Sequence, residues 1–260
     1  MHRGMWYHCD RNSGKIPAGA LPEFFLERKE KKHNMNTEKR EIERKSPIFL
    51  DRESVLRRAE NRRFFRRGQD ILIALLGLGL LWPVMLAAAA LLWLEEPHAS
   101  PIFAQTRVGR DGREFTMYKF RSMHPGAEAG LDALLCRNET DGPVFKIRRD
   151  PRITRVGRFL RRSSIDELPQ LFNVLRGDMS IVGPRPGLPR EVAQYDDYAR
   201  QRLLVLPGMT CYWQIRRDRN SLPFGEWLDL DLRYIREQCF LSDWKILLGT
   251  VVAVLRMDGV

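Results

Sequence analysis

Cysteine and histidine are scarce. Cys9, Cys136, Cys211 and Cys239 stand far apart with no CxxC pair, and His2, His8, His33, His98 and His124 show no ligand spacing. A zinc site and a disulfide scaffold are therefore disfavoured, and reduced thiols in the cytoplasm are the default. Charge is missing altogether from residues 71–94, a run of 24 that begins too far from the N-terminus to be a signal peptide. With 260 residues, 43% of them hydrophobic, the chain is too apolar for disorder and long enough for one sizeable core or two small ones.

What charge there is flanks the uncharged block. Residues 1–70 hold 18 basic and 11 acidic side chains (+7), 71–96 hold none and two (−2), and 97–260 hold 26 and 20 (+6), which sum to +11. Such basic surfaces attract phosphate, whether in lipid headgroups, nucleic acid or nucleotides. As a straight helix the block would cross a hydrocarbon core of about 30 Å. Arg62, Arg63, Arg66 and Arg67 precede it, however, and Arg107, Arg110, Arg113, Lys119 and Arg121 follow. The positive-inside rule then asks for both ends to be cytoplasmic.

Pro83 sits at the middle of the block, removes an amide donor and clashes with the preceding turn, so a kink or break is expected there. Each half then reaches roughly 16–18 Å, to about mid-bilayer and back. The block is therefore expected to form a re-entrant helical hairpin; a plain spanning helix and the buried helix of a soluble core stay open. Ahead of it, residues 38–67 carry 11 basic and six acidic side chains among Ile42, Val55, Leu56, Phe64 and Phe65. They read as a solvated charged helix or as a surface helix against anionic headgroups. Residues 1–34 read as a flexible leader, and Met35 is a candidate natural start.

After the block, PIFAQTRVGRDGREFTMYKFRSM alternates apolar and polar residues around Gly109–Gly112, the signal of two short strands and a turn. Residues 124–143 are rich in loop formers. Helices are expected at 154–162, at 166–176 with Ser163 or Ser164 as N-cap and Glu167 completing a capping box, and at 188–203. Tyr212, Trp213, Phe224 and Trp227 read as core or interface aromatics. The last stretch, FLSDWKILLGTVVAVLR, is an amphipathic helix that closes the core or rests on a membrane surface. The expected fold class is α+β, mainly helical and membrane-associated, with a re-entrant hairpin, amphipathic surface helices and a small β-hairpin. Its expected division is a leader (1–35), a basic juxtamembrane helix (36–67), the membrane hairpin (68–96) and a cytoplasmic catalytic domain (97–260).

Asp166 and Glu167 admit two readings. Acids in a first helical turn complement the helix dipole without any catalysis. Yet residues 137–162 just before them hold nine basic and three acidic side chains, a setting expected to lower both carboxylate pKa values and keep both ionised. Ionised carboxylates among arginines suit a site where a metal bridges the acids and a phosphate while arginines hold the other oxygens. Further on, Gly183-Pro184-Arg185-Pro186-Gly187 fixes an arginine in a rigid extended segment, which is either a turn or a bidentate phosphate contact.

KFRSM at 119–123, DPRITRVGRFLRRSSIDELPQLFNVLRGDMSIVGPRP at 150–186, PGMTCYWQI at 207–215 and FGEWLDLDLRYI at 224–235 closely resemble the bacterial sugar transferases, the monotopic phosphoglycosyl transferases. The resemblance covers about residues 65–257. It implies magnesium-dependent transfer of a sugar 1-phosphate from a UDP-sugar to undecaprenyl phosphate at the cytoplasmic membrane, the catalytic domain facing the cytoplasm. In the family the Asp of the Asp-Glu pair, here Asp166, is the nucleophile of a two-step path, and its neighbour, here Glu167, is a metal-site or acid/base group. Lys119, Arg121, Arg161 and Arg185 match positions implied to contact phosphate. The family's hairpin break shows Ser before Pro, whereas Trp82 precedes Pro83 here. The TCYWQ and EWLDLDLRYI strings resemble the exopolysaccharide and capsule branch, which implies a hexose such as glucose or galactose.

The implied partners are the UDP-sugar, undecaprenyl phosphate and membrane lipids, with no nucleic acid and a homodimer left open. Read from charge alone, a membrane-anchored nucleic-acid binder is the alternative, with affinity falling steeply with salt and no dependence on Asp166. A single-pass anchor with an external domain is the other.

Overall fold

A computed structural model describes residues 48–257, except 132, 133, 135–137, 140, 141, 146, 148 and 149. The expected leader and the first part of the juxtamembrane helix lie outside the described residues.

Helix α1, Arg52–Glu95, dominates the chain with 44 residues. Asp51 caps its N-terminus, its carboxylate accepting from the Ser54 amide at 3.3 Å. It is long and apolar enough to cross a membrane by length and composition. The expected interruption at Pro83 is not observed: the helix runs through Pro83 as a single element. Losing one amide donor does not end a helix when the apolar residues on both sides keep all their other backbone bonds. The proposed boundary between a juxtamembrane helix and a hairpin accordingly carries no structural break.

Both ends of the apolar stretch pack on the same globular body. On the N-terminal side Arg66 donates to the Val182 carbonyl, the Tyr234 hydroxyl and the Gln238 side chain, and Arg67 donates to the Val174 and Leu175 carbonyls. Asp70 is buried and accepts from Ser180 Oγ and the Ile181 amide, each at 3.0 Å. On the C-terminal side Ala88 and Leu92 pack with Phe120 and Leu160. Glu95 Oε1 accepts from the Arg155 and Val156 amides at 2.9 and 3.1 Å. Between these anchors Leu80, Trp82, Val84 and Leu86 are exposed.

Strands β1 (Ile102–Val108) and β2 (Glu114–Phe120) form the expected hairpin, antiparallel with Phe103 opposite Lys119, Gln105 opposite Met117 and Arg107 opposite Phe115. Asp111 and Gly112 turn the chain with φ of 57° and 76°. Helix α2, Arg155–Arg162, starts at Thr154, whose Oγ1 accepts from the Gly157 amide at 2.9 Å. Gly157 has no room for a side chain, since a Cβ would lie 2.2 Å from the Ser122 carbonyl. That contact seats α2 directly on the end of β2.

The helix expected at 166–176 is divided. A 3-10 turn, Ile165–Glu167, precedes α3, Gln170–Arg176. Ser164 is left-handed at φ 57° and caps nothing with its side chain, while Ser163 Oγ donates backwards to the Phe159 and Leu160 carbonyls. Pro169, which has no amide hydrogen, occupies the start of α3. The capping box is therefore absent, and Glu167 is released from the helix start. The helix expected at 188–203 is also broken, into α4 (Pro189–Val192), α5 (Asp197–Arg200) and a 3-10 turn Gln201–Leu204. Asp196 restarts it by accepting from the Ala199 amide at 2.8 Å.

Strands β3 (Ser180–Val182) and β4 (Gly208–Thr210) pair in parallel. A Cβ on Gly208 would lie 2.0 Å from the Gly183 amide, so only glycine permits this pairing. Helices α6, Phe224–Glu237, and α7, Phe240–Leu255, complete the chain. Leu232, Tyr234, Ile235 and Ile246 join Val174, Met179 and Val55 in the core. Trp213 and Trp227 stack there at 4.5 Å, as core aromatics. Helix α7 turns Asp243, Ile246 and Ala253 inward and leaves Leu241, Leu248, Val251 and Leu255 exposed.

Candidate active site

An open cavity of about 1360 Å³ lies between the β1–β2 hairpin, the end of α2 at Arg161, the Asp166 turn and the segment from Arg185 to Glu191. The hairpin presents Phe103, Lys119, Gln105 and Arg107 on one face, because directly paired residues of antiparallel strands point the same way. The left-handed Ser164 and the short 3-10 turn then bring Asp166 and Glu167 to that face.

Four of the residues singled out from the sequence converge on the Asp166 region. Lys119 Nζ donates to Glu167 Oε1 at 2.8 Å, and Arg185 Nη1 lies 3.9 Å from the same oxygen. Arg161 donates from Nε to Ser122 Oγ at 2.8 Å and feels the Asp166 charge. Asp166 is only 7% exposed and forms no ion pair among the described residues. Arg121 lines the same cavity but sits 4.0 Å from Glu96, away from the carboxylate pair. Pro83 lies on the exposed part of α1 and takes no part in the cavity.

The expectation that both carboxylates have lowered pKa values holds for one of them. Burial pushes the Asp166 carboxyl up from the ordinary range to about 6, and the neighbouring Glu167 charge works in the same direction against Lys119, Arg161 and Arg185. Burial also acts upward on Glu167, but Lys119 and Arg185 outweigh it and hold that carboxyl well below the usual range. Desolvation depends on packing and wins where no cation touches the group directly. The result is one permanently ionised, gripped carboxylate beside one carboxylate that is near its titration point and free to react.

Asp166 and Glu167 can contribute to a divalent metal, but among the described residues no group of three acids, histidines or cysteines surrounds one position. Magnesium is commonly held by one or two carboxylates together with substrate phosphates. The pair therefore fits a metal that arrives with a diphosphate. An oxygen nucleophile ringed by Lys119, Arg161 and Arg185 has the parts needed to attack phosphorus and to neutralise the charge on its oxygens.

Sequence reasoning singled out neither the Glu96–His124 contact of 2.5 Å nor the buried Arg202, which pairs with Asp231 at 2.7 Å and donates to the Arg185 carbonyl at 3.0 Å. Arg107 was visible only as one of several flanking cations. Its readable signal was position: it shares the alternating face of the hairpin with Lys119.

The sequence is similar to those of known proteins. The family model for bacterial sugar transferases matches residues 61–257. The galactosyl transferase CpsE of Streptococcus agalactiae is 49% identical over 158 residues, covering 61% of this chain and 35% of the relative. The undecaprenyl-phosphate galactose phosphotransferase of Salmonella typhimurium is 40% identical over 206 residues, covering 76% and 42%. The UDP-glucose:undecaprenyl-phosphate glucose-1-phosphate transferase of Xanthomonas campestris is 40% identical over 195 residues, covering 72% and 38%. The chain thus spans less than half the length of these relatives. Because the matched segment takes in most of α1, the hairpin, the carboxylate turn and both final helices, the chain belongs to the bacterial sugar transferase family.

Proposed function

We propose that the protein transfers a sugar 1-phosphate from a UDP-sugar to undecaprenyl phosphate, releasing UMP and forming the undecaprenyl-diphosphate sugar. The sugar is a hexose, and the product begins exopolysaccharide or capsule assembly. The observation that carries this reading is the buried, unpaired Asp166 beside a Glu167 held by Lys119 and Arg185.

In the first step an Asp166 carboxylate oxygen attacks the sugar-bearing phosphorus. The bond from that phosphorus to the bridging oxygen breaks, and UMP leaves with that oxygen. A phosphate oxygen of undecaprenyl phosphate then attacks the same phosphorus, and the aspartyl bond breaks to restore the carboxylate. Lys119 and Arg185 fix Glu167 and, with Arg161, balance charge on the phosphate oxygens. Asp166, Glu167 and the donor's diphosphate would hold magnesium, which supplies further charge neutralisation on the departing UMP. An Asp with a pKa near 6 is mostly ionised at pH 7, so no separate base is required.

The exposed apolar residues of α1 lie in the cytoplasmic membrane, while both flanks of the stretch stay with the rest of the chain on the cytoplasmic side. Its support is that anchors on both sides of the exposed residues grip one body. The exposed apolar face of α7 is continuous with α1 through the contact of Phe65 with Phe240 at 5.7 Å, and it rests at the lipid surface. The test is incubation with magnesium and UDP-glucose or UDP-galactose without lipid acceptor. Release of up to one equivalent of UMP, with a hexose phosphate on the Asp166 peptide, is expected. Intersecting double-reciprocal plots and no UMP burst would overturn the two-step path.

A further inference from the structure

We propose that Arg107 binds the phosphate that leaves with the nucleoside, and so anchors the nucleotide half of the donor; the inference rests on the reaction proposed above. Arg107 is 8% exposed and lines the cavity. Its Nη1 donates to the Pro186 carbonyl at 3.1 Å and its Nη2 to Gln105 Oε1 at 2.7 Å, both neutral acceptors. Its Nε is buried without a partner, and no carboxylate lies within ion-pair distance among the described residues. Glu191, the acid nearest in effect, already accepts from the Leu188 amide at 2.8 Å. Arg185 adds a second positive charge instead of a negative one. A buried guanidinium in this condition is costly to maintain, and an incoming anion is the natural way to complete it.

Position selects which anion. Lys119 stands opposite Phe103 at the end of the hairpin near α1, and Arg107 lies four residues further along β1, about 13 Å at roughly 3.3 Å per residue. The two cations therefore mark opposite ends of one face, and Arg185, which reaches Glu167 and also opposes Arg107, lies between them. A lipid phosphate is tied to the headgroup plane at the α1 end. A soluble nucleotide extends away from the attacked phosphorus and meets Arg107.

The test compares full-length wild type, Arg107→Lys and Arg107→Met in detergent or nanodiscs. Three measurements are taken: equilibrium binding of UMP, the UMP burst without acceptor, and kcat/KM for undecaprenyl phosphate at saturating UDP-sugar. Arg107→Met is expected to weaken UMP binding at least tenfold and slow the burst at least a hundredfold, while kcat/KM for undecaprenyl phosphate, which in a two-step path reports the second half-reaction alone, stays within twofold. Arg107→Lys, which keeps the charge, should recover part of the UMP affinity and guards against a Met variant that fails to fold. Unchanged UMP binding with a lowered kcat/KM for undecaprenyl phosphate would assign Arg107 to the acceptor and overturn the inference. Equal weakening of both ligands would make its role structural and also overturn it. A wild type that binds UMP yet releases none from any UDP-sugar would instead sink the proposed reaction, while UMP binding still reads Arg107 directly.

Discussion

Asp166→Asn should abolish turnover and stabilise the protein. The amide keeps the shape of the side chain but cannot attack phosphorus as an anion, so the burst rate should fall at least a thousandfold, on the order of 4 kcal/mol of barrier. The stabilisation follows from burial. The Asp166 carboxyl is raised from 3.8 to about 6, and about two units correspond to roughly 3 kcal/mol disfavouring the charged form. Because the folded pKa exceeds the unfolded one, the protonated carboxyl contributes its stability fully below pH 3.8, and that contribution is lost as pH rises through 6. The variant mimics the protonated form at every pH. Its advantage over wild type should thus be small at pH 4 and complete above pH 7, where it should melt roughly 6–12 °C higher. Thermal melts of both proteins between pH 4 and 8, monitored by tryptophan fluorescence, measure the difference with other titrations cancelled. Coincident melting curves at pH 7.5 would refute the claim that burial dominates at Asp166, and retained turnover would refute its role as nucleophile.

Other outcomes follow from neighbouring contacts. The pH profile of the UMP burst should rise through about pH 6 and level off; an acid limb near pH 4 would mean that the working carboxyl is not desolvated. Lys119→Met removes the charge that lowers both carboxyls, so the limb should move to higher pH, and an unmoved limb would contradict the coupling. Arg202→Met strands the fully buried Asp231 and should cost about 3–5 kcal/mol in denaturant melts, with much of it regained when Asp231→Leu is added. Pro83→Ala should leave impermeant labelling of the exposed Cys239 unchanged, because α1 is already continuous at Pro83 and the two sets of anchors set its placement; labelling lost from part of the population would show that Pro83 itself controls topology.

The parts of the fold visible in the sequence are those set by local chemistry. Alternation around Gly109–Gly112 defined the hairpin, the helix expected at 154–162 formed as α2, and the lack of charge marked the apolar block, whereas the break expected at Pro83 did not form because one lost amide donor leaves the rest of the helix ladder intact. The carboxylate turn was located but misdrawn, since capping-box spacing takes no account of a left-handed Ser164 or of Pro169 at the start of α3. The separation of Asp166 from Glu167 in charge behaviour was hidden because it depends on which cation reaches which oxygen, a tertiary fact. Arg107 was hidden for the same reason: an arginine lacking a counterion looks like any other until its surroundings are assembled.

The anchors of α1 also impose an order on biosynthesis. Asp70 waits for Ser180 and Ile181, 110 and 111 residues downstream, and Arg66 waits for Tyr234, 168 residues downstream. At about 5–20 residues per second, translation leaves this apolar stretch without its partners for on the order of 6–30 s. During that interval the greasy segment exists without its final seat, and ribosome pausing between codons 95 and 180 would lengthen the time available for the chain to thread the wrong way.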